Sequence, residues 1–486
     1  MKQVCHIYNA GEIISKAIKK WANSTSETFE IFTCLELNIS SCAFSEKNDI
    51  FEVVVYNPLS RPVSTYVRVP VQGNSYVIYS EMCPEGKCPA QMVPIPEAVQ
   101  KIPGRKSNAT NEVVFRASNI PPLGIQVYIV AKTQENVVDQ PQSGKFISNE
   151  LYNISVNTNG NLAIRWNKQD MSVVQSFQYY IGAEGNNKIF ANRSSYIFRP
   201  KETSARNFAY TGSYKIYKGP VVEELHQTIN EWVSQVVRIY PEEEYIELDW
   251  LVGPIPVKDK IGREIVTRYS SNLQTDKTFY TDSNGREMLK RVRNYRSTWD
   301  VKLYESISGN YYPVTSKIAL KDEKKQLKLN VLVDRPQGGS SLEDADVELM
   351  LHRRLLKDDA FGVGEALNET AFGEGLVARG RHHLFGGKVK DVDEFVLKEK
   401  ELALEMALHP ILGIPLNIFS NNLEDVHGVL QNFRSGLKKA LPPNVHILTL
   451  EPWRDDTVLL RLEHLFEVGE AQKMSQPVEI NIQVSF

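Results

Sequence analysis

Short runs of alternating apolar and polar residues, separated by turn signals, recur through most of this 486-residue chain. The clearest run lies at 326–336, and the apolar residues on one of its faces are Leu327, Leu329, Val331 and Val333. Alternation with a period of two is typical of half-buried β-strands, whose successive side chains point to opposite faces. Helical periodicity is nearly absent, so the sequence predicts a mainly β protein made of several antiparallel β-sandwich domains.

The length of the chain indicates that it contains more than one domain. A chain of 486 residues is too long for one hydrophobic core and should form roughly two to four domains. We predict a short N-terminal helix left from an upstream segment (1–29), a small β-sandwich (30–135), a large β-sandwich (147–385) and an incomplete C-terminal β unit (386–486). The polar stretch 133–143 is the predicted linker between the sandwiches.

Turn signals and strand-like runs support the two later units. Asn159-Gly160 and Asn284-Gly285 are dipeptides typical of tight hairpin turns. Further strand-like runs of the large unit lie at 233–240, 245–257 and 346–355. The C-terminal unit starts with a charged stretch and continues with strand-like runs at 445–450 and 457–467.

Both ends of the chain indicate a longer protein. Residues 11–22 show helical periodicity, and a lone helix of that length needs a surface to pack on. The last nine residues, VEINIQVSF (478–486), alternate cleanly and predict a strand that runs into the terminus without a turn. We therefore expect a fragment, or an incomplete gene model, of a longer protein.

Charge and hydropathy exclude two classes of partner. A net charge of -3 gives no electrostatic reason to bind nucleic acid or an acidic membrane. No apolar run reaches the roughly 18 residues that a membrane span needs. The first residues also contain no apolar stretch like the core of a signal peptide. The sequence predicts neither a nucleic-acid partner nor a membrane span.

Cysteines and glycosylation sequons point to the secretory pathway. Cys34 and Cys42 form one close pair and Cys83 and Cys88 another, a layout that suits small disulfide loops, with reduced thiols as the alternative. Cys5 is then left over. The Asn-x-Ser/Thr sequons, which mark acceptor sites for glycans in a lumenal protein, begin at Asn23, Asn38, Asn108, Asn153, Asn192 and Asn368.

The residues with catalytic potential form no recognisable reaction centre. The nine histidines make no metal-ligand pattern, and the adjacent His382 and His383 would point to opposite faces of a strand, so we predict surface or loop histidines. Acidic pairs such as Glu223-Glu224 are predicted to lie in solvated turns, and Gly338-Gly339 in a tight loop. We predict no catalytic residue and no metal ligand in this chain.

Two positions remain as candidates for a binding site. Arg335 follows a predicted strand, and its planar fork of donors suits sugar hydroxyls or a carboxylate. The alternative for Arg335 is a buried salt bridge with Asp334 or a neighbouring strand. Tyr196 offers an aromatic face with a polar tip, which suits a sugar ring, and its alternative is a place in the core.

Four dense motifs connect these residues to a family. They are YTDSNGRE (280–287), GNYYPV (309–314), DRPQGGSSL (334–342) and LHRRLLKDD (351–359). Together they resemble the C-terminal region of the lysosomal alpha-mannosidases, members of glycoside hydrolase family 38. Matching segments begin near Cys34 and continue in order over nearly the whole chain, which makes the resemblance specific.

The resemblance implies an enzyme whose reaction centre lies outside this chain. Members of the family release alpha-linked mannose from N-glycan-derived oligosaccharides with retention of configuration. They use an aspartate nucleophile, an acid/base aspartate and one zinc ion. These groups belong to an N-terminal catalytic domain whose motifs do not occur here, so the resemblance implies that the missing domain binds the zinc and that this chain alone is inactive.

The resemblance also assigns a role to the two candidate positions. The Asp-Arg-x-Gln-Gly and Ser-x-x-Tyr-x-Phe-x-Pro loops of the family reach the mannose pocket, which implies that Arg335 and Tyr196 line it. Two departures are Pro336 in place of a more usual serine and Arg193-Ser194-Ser195 in place of Ser-Gly-Ala. The sequon at Asn192 lies four residues before Tyr196, where a glycan would crowd the pocket mouth.

The leading hypothesis is therefore the mainly-β, C-terminal portion of a lysosomal-type alpha-mannosidase. Its expected partners are the catalytic domain of the same precursor and mannose-containing oligosaccharides, and its expected location is the lysosome or the lumen of the secretory pathway. The alternative is a stand-alone carbohydrate-binding or structural β module without catalysis.

Overall fold

The fold is known from a computed structural model that describes residues 16, 31–134, 142, 144–183, 198–282, 284–358, 364–415, 433–455 and 457–485. Strands dominate, and every pairing between them is antiparallel. The predicted mainly β, multi-sheet fold is confirmed. Of the helix expected near the N-terminus, only residue 16 lies among the described residues.

The first part of the chain forms a small sandwich. Its elements are β1 (Ile31–Phe32), β2 (Ile50–Tyr56), β3 (Val63–Val71), β4 (Tyr76–Tyr79), β5 (Lys87–Cys88), β6 (Ala90–Pro94), α1 (Glu97–Gln100), β7 (Asn111–Ile120) and β8 (Ile125–Lys132). Strands β3, β7 and β6 form one sheet, and β2, β8, β4 and β5 belong to the other. Apolar side chains of both sheets, such as Val53, Val69, Phe115 and Val130, fill the space between them.

The second part forms a large sandwich. Its strands are β9 (Phe146–Ser148), β10 (Tyr152–Val156), β11 (Leu162–Trp166), β12 (Ser172–Ile181), β13 (Arg206–Asn207), β14 (Ser213–Lys218), β15 (Glu223–Asn230), β16 (Val233–Ile239), β17 (Tyr245–Val252), β18 (Arg263–Ser271), β19 (Thr278–Asp282), β20 (Met288–Val292), β21 (Tyr312–Val314), β22 (Lys317–Asp322), β23 (Leu327–Val333), β24 (Gln337–Ser340), β25 (Asp346–Arg354), β26 (Thr370–Ala371), β27 (Glu374–Gly375) and β28 (Ala378–Lys388). The short pair β26–β27 stands apart from the two main sheets.

Two nine-stranded sheets make up this sandwich. The first has the order β21-β24-β25-β18-β12-β11-β10-β9, with β13 paired to β12, and the second has the order β14-β15-β16-β17-β28-β23-β22-β19-β20. Leu327, Leu329, Val331 and Val333 all belong to the core between the sheets, as their alternation predicted. Both predicted Asn-Gly turns connect paired strands, β10 to β11 and β19 to β20.

The elements of the last part of the chain belong to different parts of the fold. It contains α2 (Val392–Ala407), β29 (Ile411–Pro415), β30 (Phe433–Arg434), β31 (Val445–Pro452), β32 (Val458–His464) and α3 (Ile482–Ser485). Strand β29 lies between β1 and β2 in the small sandwich, and β31 pairs with β32 as a hairpin. The proposed division of the chain into four consecutive units remains a prediction.

Two local predictions were wrong, and one helix was not predicted. The alternating segment 478–486 forms no strand within its described residues, because α3 occupies its end. The charged stretch after β28 forms α2, since Asp391 caps the Glu394 amide and Leu402 packs on the large sandwich. Gly338 and Gly339 lie in strand β24 instead of a tight loop.

Candidate functional site

Arg335 lies where the chain crosses from one sheet of the large sandwich to the other. Strand β23 ends at Val333, and β24 begins in the opposite sheet at Gln337. The Arg335 Nε and Nη2 groups donate to the two carboxylate oxygens of Asp334 at 3.1 and 2.7 Å. The Arg335 side chain is nevertheless 53% exposed, so the ion pair with Asp334 orients the guanidinium without burying it.

A buried tryptophan lies beneath this arginine. The guanidinium carbon of Arg335 is 6.0 Å from the ring centroid of Trp250, which is 2% exposed on β17. The ring can approach the neighbouring strand because Gly380 has no side chain, and a Cβ there would lie 2.3 Å from Trp250 Cζ2. The charge of Arg335 is therefore held over an aromatic face, with Asp334 fixing its direction.

Arg335 stands on the wall of a cleft with a volume of about 780 Å³. The outer face of the second sheet, from β14 to β17 and β28, forms one wall. Strand β3, the residues around α1 and the end of α2 form the others. The cleft thus lies between the two sandwiches and has the size typical of a small-molecule or oligosaccharide site.

A buried carboxylate joins the two sandwiches behind the wall of this cleft. Glu224 on β15 accepts from Arg68 Nη2 at 2.7 Å and from Arg238 Nε at 2.8 Å, and lies 2.6 Å from His226 Nε2. Burial raises the pKa of Glu224, but these cations outweigh it and lower that pKa well below its usual range. Glu224 was predicted to lie in a solvated turn, and this was wrong because Arg68 comes from a distant part of the chain.

The ion-pair network continues across β16, β17 and β28. Arg238 Nη1 lies 2.7 Å from Glu247 and 3.0 Å from Asp249. On the far side of Glu247, Arg381 and His383 lie 3.8 and 3.6 Å from its Oε2 atom. Burial raises the pKa of Glu247, and its cationic neighbours lower it well below the usual range. Glu224 and Glu247 therefore remain ionised at any physiological pH, so they suit a positioning role better than proton transfer.

Several polar atoms that line the cleft have no hydrogen-bond partner among the described residues. They include Trp250 Nε1, Gln235 Oε1, Arg381 Nε and both ring nitrogens of His383. Buried polar atoms left unpaired are costly, and these atoms lie within the cleft wall, because they have almost no accessible surface. The exposed guanidinium of Arg335 is the group on this wall that a polyhydroxyl ligand can reach directly.

The adjacent histidines occupy opposite faces of β28. His382 Nε2 donates to the Gln337 side-chain oxygen at 2.8 Å, and its Nδ1 accepts from the Tyr269 hydroxyl at 2.9 Å. His383 instead stacks on Tyr245, with ring centroids 4.1 Å apart, on the cleft side. The opposite orientation was predicted correctly. The surface or loop location was wrong, since His382 is 0% and His383 8% exposed in the middle of the sheet.

The segment that contains Tyr196 lies outside the described residues, as does the sequon at Asn192. The chain is described again from Phe198, whose ring contacts those of Tyr180 and Tyr311. The proximity of Tyr196 to Arg335 stays a prediction.

The predicted covalent features are two disulfides and six glycosylation sequons. The structure contains the Cys34–Cys42 and Cys83–Cys88 disulfides, and both lie against the core of the small sandwich. Three sequon asparagines are exposed, namely Asn38, Asn108 and Asn368. Asn153 is half-buried within β10, and Asn23 and Asn192 lie outside the described residues. Glycosylation at each of the six sites stays a prediction.

The resemblance implies zinc in a catalytic domain outside this chain. Within the described ranges, no group of three or more His, Cys, Asp or Glu side chains has an arrangement that holds a metal ion. The residues present therefore do not fit a zinc ion. The same ranges contain no helix long and apolar enough to cross a membrane.

Comparisons with known proteins define the class of this fold and site. Residues 147–361, which carry Arg335, match the glycosyl hydrolases family 38 C-terminal domain. Residues 88–130 match the central domain of the lysosomal alpha-mannosidase-like type. The chain belongs to glycoside hydrolase family 38 through this C-terminal region.

Two relatives show how much of a longer protein this chain covers. The chain is 38% identical to the lysosomal alpha-mannosidase of Cavia porcellus over 493 residues, which cover 98% of this chain and 46% of that protein. It is also 38% identical to the lysosomal alpha-mannosidase of Homo sapiens, over 93% of this chain and 45% of that protein. The chain thus spans just under half the length of these relatives.

A solved structure shares the fold. The crystal structure of an alpha-mannosidase from Enterococcus faecalis superposes with a TM-score of 0.56 at 10% sequence identity. The match covers 86% of this chain and 51% of the bacterial one. At this identity the likeness concerns the fold alone.

Proposed function

We propose that this chain forms the C-terminal β portion of a lysosomal-type alpha-mannosidase. In this role it packs on a catalytic domain and helps to complete the pocket that holds a terminal alpha-linked mannose. The observation that carries the proposal is the position of Arg335, which is half exposed at a strand end, oriented by Asp334 and placed on the wall of a polar cleft.

The chemistry would be divided between two parts of the protein. The reaction is a retaining, zinc-dependent hydrolysis of alpha-mannosides derived from N-glycans. The nucleophile, the acid/base and the zinc ligands come from the catalytic domain, where bound zinc supplies a Lewis acid. This chain contributes hydrogen bonds from Arg335 and an aromatic face from Tyr196, and alone it gives no turnover. The disulfides and the lysosomal relatives support a location in the lysosome.

A chimeric enzyme tests the proposal. The upstream part of the Cavia porcellus protein is joined to this chain, and hydrolysis of an aryl alpha-mannoside is measured. We expect activity in the chimera and none from the chain alone with added zinc. Arg335→Gln should lower kcat/KM about 10- to 100-fold, because it removes a charged hydrogen bond to the sugar. Arg454→Gln, at an exposed arginine stacked on Trp453, serves as the matched control.

Two results would contradict the proposal. One is full activity of the Arg335→Gln chimera, which would remove Arg335 from the pocket. The other is turnover by the chain alone, which would show a reaction centre within it.

The second candidate function is a carbohydrate-binding module without catalysis. The polar and aromatic residues that line the cleft favour it. Binding of mannose oligosaccharides by the chain alone, lost on Trp250→Leu and retained on Trp453→Leu, would support this function. An inactive chimera together with such binding would favour the module over the enzyme.

A further inference from the structure

A loop on the large sandwich exposes several large aromatic rings. The segment 293–311 connects β20 to β21, and we call it the aromatic loop. Within it Tyr295 is 57% exposed, Trp299 60% and Tyr304 91%. Aromatic side chains have large apolar surfaces, so a group of them in water is typical of a contact surface.

Arginines without acidic partners lie in and beside the same loop. The described part of the chain places no carboxylate within 4.0 Å of the guanidinium nitrogens of Arg291, Arg293 or Arg296. The guanidinium carbons of Arg291 and Arg296 lie 4.3 and 5.0 Å from the centroid of the same ring, that of Tyr312. Two like charges that share one ring repel each other, so a carboxylate brought by a partner would stabilise both.

The aromatic loop is held on a fixed frame. Asn310 is 1% exposed, and its side-chain amide donates to Asn294 Oδ1 at 2.7 Å and to the Ser306 carbonyl at 2.9 Å. The Asn310 oxygen accepts from the Asn294 amide at 2.8 Å. The two ends of the loop are therefore joined by buried hydrogen bonds, which lowers the entropy that the exposed side chains would lose on binding.

The aromatic loop contacts the residues that follow Tyr196 in the sequence. Glu305 pairs with Arg199 at 2.7 Å, and the Tyr311 ring lies 4.8 Å from that of Phe198, two residues after Tyr196. Strand β21, which follows the loop, pairs with β24 so that Tyr312 lies opposite Gly339, four positions after Arg335. A domain that shares the pocket would therefore pass close to the loop.

A second exposed apolar surface gives a useful contrast. The β31–β32 hairpin exposes Trp453 at 54% and Val458 at 62%. Within the hairpin Arg461 pairs with Glu451 at 3.7 Å, and Arg454 lies over the Trp453 ring. The hairpin thus has a single arginine on an aromatic ring, whereas two arginines share the Tyr312 ring beside the aromatic loop.

We propose that the aromatic loop is the docking surface for the catalytic portion, and that this partner presents carboxylates to Arg291 and Arg296 beside an apolar patch that covers Trp299 and Tyr304. The inference rests on the proposed function and adds to it the contact surface and the chemistry of the partner. Tryptophan, tyrosine and arginine are the residue types that contribute most free energy at protein interfaces. Their combination here, next to the pocket segments, favours a protein partner over a small anion.

Binding between the two separate parts tests the inference. The chain is titrated onto the upstream part of the Cavia porcellus lysosomal alpha-mannosidase, and Kd is measured at low and high salt. Trp299→Ala with Tyr304→Ala should raise Kd at least about thirtyfold, whereas Trp453→Ala should leave it within about twofold. Arg291→Gln with Arg296→Gln should raise Kd about tenfold and flatten its salt dependence, whereas Arg454→Gln should do neither.

The outcomes separate this inference from the proposed function. If the unaltered chain does not bind the upstream part, the packing role fails and the inference fails with it. If the unaltered chain binds and the loop variants bind equally well, the inference alone is overturned. Saturable binding of inorganic phosphate, at constant ionic strength and dependent on Arg291 and Arg296, without binding of the upstream part, would instead identify a small-anion site.

Discussion

Replacement of Glu224 by glutamine should weaken the contact between the two sandwiches. The side chain of Glu224 is 0% exposed, and it bridges Arg68 of the small sandwich and Arg238 of the large one. Glutamine has nearly the same shape, so the change removes the charge and leaves the packing in place. Arg68 and Arg238 would then lose the counter-ion that they share. Arg68 would keep Glu112 at 2.8 Å, and Arg238 would keep Glu247 and Asp249 at 2.7 and 3.0 Å.

The expected loss of stability is moderate. Removal of one partner from a buried ion pair costs about 3–5 kcal/mol when the remaining charge is left uncompensated. Because Arg68 and Arg238 keep other carboxylates, the loss here should be about 1.5–3 kcal/mol, the contribution of hydrogen bonds to a charged group. With a urea m-value near 3 kcal/mol/M, the midpoint of unfolding should fall by about 0.5–1 M. Tryptophan fluorescence can follow the transition, since Trp250 lies on a wall of the same cleft.

The adjacent residue supplies a matched control. Glu223 has a side chain that is 24% exposed and pairs with Lys218 at 3.0 Å. Glu223→Gln should cost less than about 1 kcal/mol, because a solvated ion pair contributes little. Equal losses for the two variants would refute the assignment of Glu224 as a buried bridge.

The difference in stability between the unaltered chain and Glu224→Gln should depend on pH in one direction only. The pKa of Glu224 is depressed in the folded chain, so its contribution is present above the ordinary value of 4.5 and is lost only as pH falls below it. The gap between the unaltered chain and Glu224→Gln should therefore stay constant from pH 8 to about pH 5 and narrow only in stronger acid. A gap that closes near neutral pH would contradict the depressed pKa.

Two further predictions concern the environment of Arg335. Burial lowers the pKa of His382 from 6.5 to about 3, so the folded chain holds fewer protons than the unfolded one below pH 6.5 and loses stability there. His382→Gln should therefore reduce the fall in the free energy of unfolding by up to about 1.4 kcal/mol per pH unit below pH 6.5. Urea unfolding at a series of acidic pH values measures this, and the same pH dependence in both proteins would contradict the lowered pKa of His382. Gly380→Ala should destabilise the chain by about 1–3 kcal/mol and shift its tryptophan emission, because the new Cβ meets Trp250. In the control variant Gly144→Ala the new Cβ would lie 3.6 Å from its nearest atom, so stability and tryptophan emission should stay unchanged.

Local pattern was sufficient to predict where strands form and which side of them is buried. The alternating residues of β23 lie in the core as expected, and the Asn-Gly turns connect paired strands. Such predictions succeed because side-chain alternation and turn conformation depend on neighbouring residues alone. The helix α2 could also have been found, since Asp391 and Glu394 are spaced as in a capping box before an apolar repeat.

The candidate site could be predicted only in part. Motif resemblance selected Arg335, and the structure places it at a strand end on a cleft wall. The cleft itself, the burial of His383 and the ion pairs of Glu224 were not predicted, because their partners come from strands far apart in the sequence. No local signal identifies which arginine will reach a given carboxylate.

The sequence by itself therefore determined a chain of antiparallel strands, two short disulfide loops and the family of its dense motifs, since each of these follows from local spacing. Only the tertiary structure decided that β29 joins a sheet of the small sandwich, between β1 and β2. It also decided that Ile482–Ser485 form a helix and that a charged cleft lies between the sandwiches. The physical reason is that a strand becomes stable through its partner, and a buried charge through its counter-ion. In both cases the stabilising group lies elsewhere in the chain and becomes a neighbour only on folding.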